Sequence, residues 1–233
     1  MPAGNVKRLG TIRELWRYPV KSMPGERLEG PVAVGPEGIE GDRVRAVVDE
    51  VTGKVLSAKT VPALLSASTS WDSAELTSFL GRPVRLAAPV VGEQAIFDMD
   101  VDPDRADEVL ELRTPPGVFF DSRSTLHLLT VASLGRADVR RFRPNLLVET
   151  DGAGAFPEDE WVGRRLRLGG GVEATVRKRT SRCVLVTRAQ PGLPKDSDIH
   201  RALVRDRGGD LGVYLDPQTE GRLSTGDPVE LLE

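Results

Sequence analysis

The amino-acid sequence predicts a mainly β protein of the α+β class, a barrel or strongly curved sheet with few short helices. Three observations carry that expectation. Short apolar stretches of alternating pattern recur along the whole chain, separated by Gly, Pro, Asn and Asp turn signals. Few stretches switch to a helical period, and no G-x-G-x-x-G follows a strand, so a doubly wound α/β fold lacks its signature. The length, 233 residues, suits two small domains as well as one large one. The acidic stretch DMDVDPDRADEVLE at 98–111 marks the boundary, giving β-rich modules at 1–97 and 98–233.

The elements run in order along the chain. VKRLGTIREL, YPVKSMPGE, RLEGPVAV, GPEGIEGD, RVRAVVD, the turn DEVTGK and VLSA read as an antiparallel β-module over residues 6–60. WDSAELTSFL at 71–80 changes period: Asp72 or Ser73 caps a helix, Leu76, Phe79 and Leu80 share one face, and Gly81 stops it. VRLAAP returns to strand. In the acidic stretch, Asp98, Asp100 and Asp102 have the opening spacing of a calcium loop, but Pro103 stands where glycine is needed and Val109 where the closing glutamate belongs. A solvated loop running into a short helix is the expectation there. STLHLLTVASL reads as a strand at 125–130 leading to a helix that includes Ala137 to Phe142, and FRPNLLVE, GRRLRLGGGVEATVRKRT and CVLVTRAQ read as strands, with Gly169 to Gly171 a hairpin turn. IHRALVRD is helical, and LGVYLD with two short strands around STGDP closes the chain.

Composition excludes several classes of function. A net charge of −3 lacks the basic excess of a nucleic-acid binder, so an anionic partner needs a local basic site. One cysteine rules out an internal disulfide framework and an iron–sulfur cluster held by four thiolates of this chain. The N-terminus has no signal-peptide core and no 18-residue apolar run occurs, so no membrane is expected and the cytoplasm is the default location. No G-x-S-x-G and no Walker loop is present.

The one cysteine stands in RKRTSRCVLVT, after Arg177, Lys178, Arg179 and Arg182. A free cysteine is ordinarily a buried small hydrophobe and a cation run a solvated strand face. Together they make Cys183 a candidate nucleophile or metal ligand, since nearby cations favour the thiolate. Lys21 and Ser22, in the Pro-bounded turn YPVKSMPG, either aim an ammonium and a hydroxyl at an anion or form an ordinary exposed turn. Arg143, before Pro144 and Asn145, is either a bidentate oxyanion donor or a surface arginine. His127 reads as a packed core histidine and His200 as solvent-facing or a helix-end partner; with Cys183 they have no zinc spacing.

YPVKS, GDR at 41–43, LHLLT with ASL, FRPNLLVE, SRCVLVT, LGVYLDP and GDPVELL resemble, in this order, the MOSC family, named after the molybdenum cofactor sulfurase C-terminal domain. The version resembled has an N-terminal β-barrel module before the MOSC β-barrel, as in the mitochondrial amidoxime-reducing component and its bacterial homologues. The resemblance implies a molybdenum cofactor (Mo-molybdopterin) with Cys183 as the protein ligand to the metal and the catalytic residue. It further implies cofactor-anchoring roles for Lys21, Ser22, Ser124, Arg143, Ser181, Arg182 and Tyr214. In LSAKTVPALL, Lys59 stands where the family has a cofactor-binding arginine; it keeps the charge and loses the bidentate fork.

The activity this resemblance implies is a two-electron reduction of N-hydroxylated or related N–O or S–O small molecules. Its electrons would come from a separate ferredoxin- or flavoprotein-type donor protein. Asp210, near Tyr214, is a candidate proton donor against the plainer reading of a solvated turn. The rival is a sulfur carrier or cofactor-handling protein that uses a Cys183 persulfide without substrate turnover.

Overall fold

The computed structural model describes residues 6–102, 105–119, 125–152 and 154–232. The first part runs through β1 (Val6–Arg17), β2 (Glu26–Leu28), β3 (Val32–Gly35), β4 (Gly38–Ile39), β5 (Ala46–Asp49), α1 (Ser73–Leu80), β6 (Val84–Ala87), β7 (Ile96–Asp102) and β8 (Arg105–Arg113). The second comprises β9 (Leu126–Thr130), the single turn α2 (Val131–Leu134), β10 (Leu146–Thr150), β11 (Arg165–Leu168), β12 (Val172–Ser181), α3 (Ser197–Arg207), β13 (Asp210–Pro217), β14 (Gly221–Leu223) and β15 (Pro228–Leu232). The mainly β expectation with few short helices holds.

Seven strands close into a barrel in the order β10, β9, β13, β12, β11, β15, β1, because β1 pairs with both β15 and β10. β1 reaches both partners through register shifts at Arg8/Gly10 and Ile12/Glu14, local irregularities that bend and twist a strand. Gly10 is needed at that bend: a Cβ there would lie 2.0 Å from the Glu149 carbonyl oxygen. β9 and β10 run parallel, and α2 with the 3-10 turn Val139–Arg141 lies in the crossover that a parallel pair requires. Leu15, Leu128, Leu146, Leu166, Val176, Val213 and Val229 fill the barrel. Position 97/98, the expected module boundary, falls inside β7, and β1 belongs to the barrel built by the second half.

Outside the barrel, β5 and β6 pair, β7 and β8 pair, and Val55 bridges the two by isolated contacts with Val48 and Phe97. α1 packs Leu76 into a second core with Val20, Met23, Val47, Leu64 and Val84, into which Leu185 of the second half also inserts. A capping box forms α1's start: Asp72 accepts from the Ala74 and Glu75 amides while Glu75 accepts from the Asp72 amide. Gly81 ends it in the left-handed region at φ 65°.

Four expectations are corrected. Residues 98–102 and 105–111 are paired antiparallel strands rather than a loop and helix, since the Asp98-Met99-Asp100-Val101-Asp102 alternation is strand-periodic. Residues 137–142 hold only the 3-10 turn Val139–Arg141, capped by Asp138. Residues 184–187 are a 3-10 turn, not a strand, because successive side chains are claimed by different cores: Leu185 by the second, Val186 by a fourth with Leu129, Phe142 and Leu211. Phe79 is 41% exposed and meets Trp71 in a tilted ring pair at 5.0 Å instead of sharing Leu76's buried face.

Candidate functional site

The seam between barrel and second core forms a cleft that encloses about 150 Å³, and about 880 Å³ when counted with the solvent-open space at its mouth. Seven of the eight expected cofactor contacts converge on it together with Cys183. Lys21, Ser22, Lys59, Arg143, Ser181, Arg182, Cys183 and Tyr214 all line it. The eighth contact, Ser124, lies outside the described residues.

The first wall comes from three strained turns. Ser22 (φ 65°), Arg43 (φ 52°) and Arg143 (φ 53°) are three of the four described non-glycine residues with positive φ, and all three line the cleft. Such conformations cost about 1–3 kcal/mol each and persist where the surroundings over-determine them. Here Tyr18 does so. Its ring, 1% exposed, is flanked by the guanidiniums of Arg143 at 4.2 Å and Arg43 at 4.8 Å. The Tyr18 hydroxyl donates to the Pro144 carbonyl at 3.2 Å, and its amide donates to Asp42 at 2.7 Å. Arg143 donates to the Met23 carbonyl at 2.7 Å, which ties the RPN turn to the PVKS turn. Asp42, buried, pairs with Arg43.

The opposite wall repeats the device. Lys21 and Lys59, each 7% exposed, stand at 4.7 and 5.1 Å from the ring centre of Phe97. Lys21 also donates to the Phe119 carbonyl at 2.9 Å, and Arg188 holds the Lys59 carbonyl at 2.7 Å. Lys21 and Ser22 are therefore buried, not an ordinary exposed turn.

The cysteine segment closes the third side. Arg182 donates from Nη2 to the Phe142 carbonyl at 2.6 Å, and Ser181 donates to Asp210 at 2.9 Å. Of the cation run, Arg182 alone lines the cleft; Arg177, Lys178 and Arg179 lie exposed on β12, with Arg177 beside Asp216 and Arg179 beside Asp210. Cys183 is half-buried, packed against the second core, and begins the 3-10 turn. Asp210 does not line the cleft and is engaged by Ser181 and Arg179.

Electrostatically the cleft is one-signed among the described residues: Lys21, Arg43, Lys59, Arg143 and Arg182 line it and no carboxylate does. Burial lowers the Arg143 guanidinium to about 10, and neighbouring Arg43 acts in the same sense. Burial likewise holds Arg182 below its ordinary value. Arg43 goes the other way: burial lowers it, but Asp42, Tyr18 and Tyr214 together raise it above its ordinary value. Arg143 Nη2 and Arg182 Nε are buried with no protein partner. Buried donors without acceptors are costly, so a bound anion relieves both the charge and the missing hydrogen bonds.

His127 is 4% exposed, and burial holds it well below the usual imidazole range, as a neutral ring. Its amide donates to Asn145 Oδ1 at 3.1 Å, and Asn145 in turn donates to the Trp16 carbonyl at 3.2 Å. Sequence reasoning gave no role to Arg43, Ser57 or Asn145, which line the cleft. The usable signals were the Asp42-Arg43 pair before a strand and the Asn following Arg143-Pro144. Ser57 carried none.

Among the described residues no group of His, Cys, Asp and Glu side chains could hold a metal ion by itself, and no helix is long and apolar enough to cross a membrane. Residues 9–109 match the family model of the MOSC N-terminal beta barrel domain and residues 122–230 that of the MOSC domain. No protein of curated function matches the sequence. Among solved structures, the YUAD protein from Bacillus subtilis is similar over 98% of this chain and 97% of its own, with 12% identity and a TM-score of 0.53, a likeness of fold. YiiM from Geobacillus stearothermophilus is 18% identical over 61% of this chain and 72% of its own, with a TM-score of 0.35. With both of its family models matched in order along one chain, and a single thiol in the cleft between the parts they cover, this protein belongs to the MOSC family, some members of which bind the molybdenum cofactor.

Proposed function

We propose that this is a cytoplasmic molybdenum-cofactor enzyme that reduces N-hydroxylated or related N–O or S–O small molecules. Its electrons come from a separate ferredoxin- or flavoprotein-type donor. The observation that carries the reading is the composition of one cleft: the chain's only thiol and, among the described lining residues, five cations, no carboxylate and two buried guanidinium nitrogens lacking acceptors. A metal held by an anionic organic cofactor needs that combination of soft ligand and anion donors.

Cys183 would ligate the molybdenum. Lys21, Ser22, Arg43, Lys59 and Arg143 would bind the phosphate by charge-assisted hydrogen bonds, and Ser181, Arg182 and Tyr214 would orient the pterin. When bound, the cofactor supplies the two-electron redox chemistry. The chain's residues would hold it, Leu126 and Phe142 would keep water from it on the barrel side, and a neutral His127 in the wall adds no further charge.

The test is molybdenum per chain by elemental mass spectrometry, on protein from a host competent to make the cofactor, for wild type and Cys183→Ser. Stoichiometric metal in the wild type, lost or spectrally altered in the variant, supports the reading, and amidoxime reduction with an artificial donor is then assayed. Metal-free protein carrying labile sulfur on Cys183 overturns it in favour of the persulfide carrier.

A further inference from the structure

The residue before Cys183 is held at both of its backbone groups by one helix. The Arg182 amide donates to the Gly209 carbonyl at 2.8 Å, just past the C-terminal cap of α3. Its carbonyl faces His200 Nε2, in the middle of α3, at 3.1 Å. A carbonyl only accepts, so Nε2 carries the proton. Through its carbonyl the Arg182–Cys183 peptide plane is therefore held from α3, and Cys183 Cα, from which the thiol side chain leaves, lies in that plane.

α3 itself is lightly attached. No residue of it is fully buried, and Ile199 and Leu203 pack only partly against the core of Leu129, Phe142, Val186 and Leu211. Its N-terminal cap ties it back to the cysteine segment, the Asp196 amide donating to the Thr187 carbonyl at 2.9 Å, while the Gly209 amide closes the helix's own last turn on the Leu203 carbonyl at 3.0 Å. Elements with few buried contacts open locally at low cost. Arg207 anchors the C-terminal end of α3 to Asp159 at 2.6 Å and to the Phe156 ring, and His200 supplies the side-chain hydrogen bond that joins the helix to the cysteine segment.

We infer that His200 is a positioning residue for Cys183: its Nε2–H fixes the Arg182–Cys183 peptide and so governs the placement and accessibility of the thiol. The inference rests on Cys183 being the working group of the cleft, as proposed above, and its consequences are readable without any metal.

Because Cys183 is the only thiol, its alkylation by iodoacetamide in the metal-free chain reports on this site alone. His200→Leu, which keeps apolar bulk and cannot donate, is expected to label about fivefold faster than wild type, the weight of one neutral hydrogen bond. His200→Gln, whose amide can donate to the same carbonyl, is expected to return close to the wild-type rate. Arg201→Ala, on the exposed side of the same helix, is expected to label as wild type. Labelling of His200→Leu at the wild-type rate, or of His200→Gln as fast as His200→Leu, overturns the inference. Should His200→Leu fail to fold, nitrogen NMR of the wild type decides: with two histidines to assign, a His200 ring protonated on Nδ1 rather than Nε2 at mildly alkaline pH overturns it, and the Nε2–H form supports it. Molybdenum content plays no part in these readouts, so the clamp and the molybdoenzyme reading stand or fall separately.

Discussion

Replacing Tyr18 with Phe and with Leu separates the two things its side chain does. The hydroxyl makes one hydrogen bond, to the Pro144 carbonyl at 3.2 Å, so Tyr18→Phe should cost about 1 kcal/mol. The ring meets two guanidiniums, at 4.2 and 4.8 Å from its centre, in a place where it is 1% exposed. Desolvated cation–π contacts are worth up to ~2 kcal/mol each, so Tyr18→Leu loses a further 2–4 kcal/mol or so from these alone. The smaller side chain adds roughly 1 kcal/mol for unfilled volume. A total near 5 kcal/mol is a large share of the ~5–15 kcal/mol stability of a folded protein. Urea unfolding followed by tryptophan fluorescence, with unchanged slopes, measures both variants. A Leu variant within about 1 kcal/mol of the Phe variant would refute the bracketing role and leave Tyr18 as a hydrogen-bonded core residue.

Gly25→Ala should disturb the same bracket, because a Cβ there would lie 2.3 Å from Tyr18 Cε1; a loss of about 1–3 kcal/mol in the same urea assay is expected. Arg143→Lys should keep the fold and weaken phosphate binding about tenfold or more, read as a smaller rise in melting temperature with added inorganic phosphate. Burial holds His127 far below 6.5 in the folded state, so the unfolded chain binds the extra proton and stability falls as pH drops below that value. His127→Gln should flatten this limb by up to ~1.4 kcal/mol per pH unit, seen in unfolding measured across pH. Asp49, 1% exposed, is held below the usual carboxylate range chiefly by the Thr52 amide, then its hydroxyl and Arg82. That stabilisation is present above the unfolded carboxylate value and fades as pH falls through the folded one. Asp49→Asn should cost about 1–2 kcal/mol at neutral pH and progressively less in acid.

Much of this architecture could be read from periodicity, because most elements are locally consistent. The α1 region announces itself through Asp72 and Gly81, which act as cap and stop, and the structure adds Glu75 as the capping-box partner. The strand pair at 98–102 and 105–111 escapes such reading because an acidic face looks like a loop, although its alternation is strand-like. The turn after Cys183 could not be read locally: Val184-Leu185-Val186 has strand propensity, and only the competition of two cores for Leu185 and Val186 winds it into a 3-10 turn. The site was legible where family motifs carry it, at Lys21, Arg143 and Cys183. The shielding of charge was not, since the rings of Tyr18 and Phe97 reach the cations from distant positions.

The barrel's closure also bears on how the chain is made. β1 leaves the ribosome before every other strand of the barrel, yet its neighbours are β10 and β15, with Val6 registered against Leu232. Until β10 and then β15 emerge, β1 has no barrel partner, and bare strand edges are where wrong pairings begin. Closure between strands so distant in sequence makes for slow folding and exposes the nascent protein to chaperones in the interval. It also means that residues 98–233 expressed alone would be a six-stranded sheet with β10 and β15 as open edges, prone to pair with a second copy. The N-terminal strand is thus a built-in stopper for the barrel, supplied first and used last.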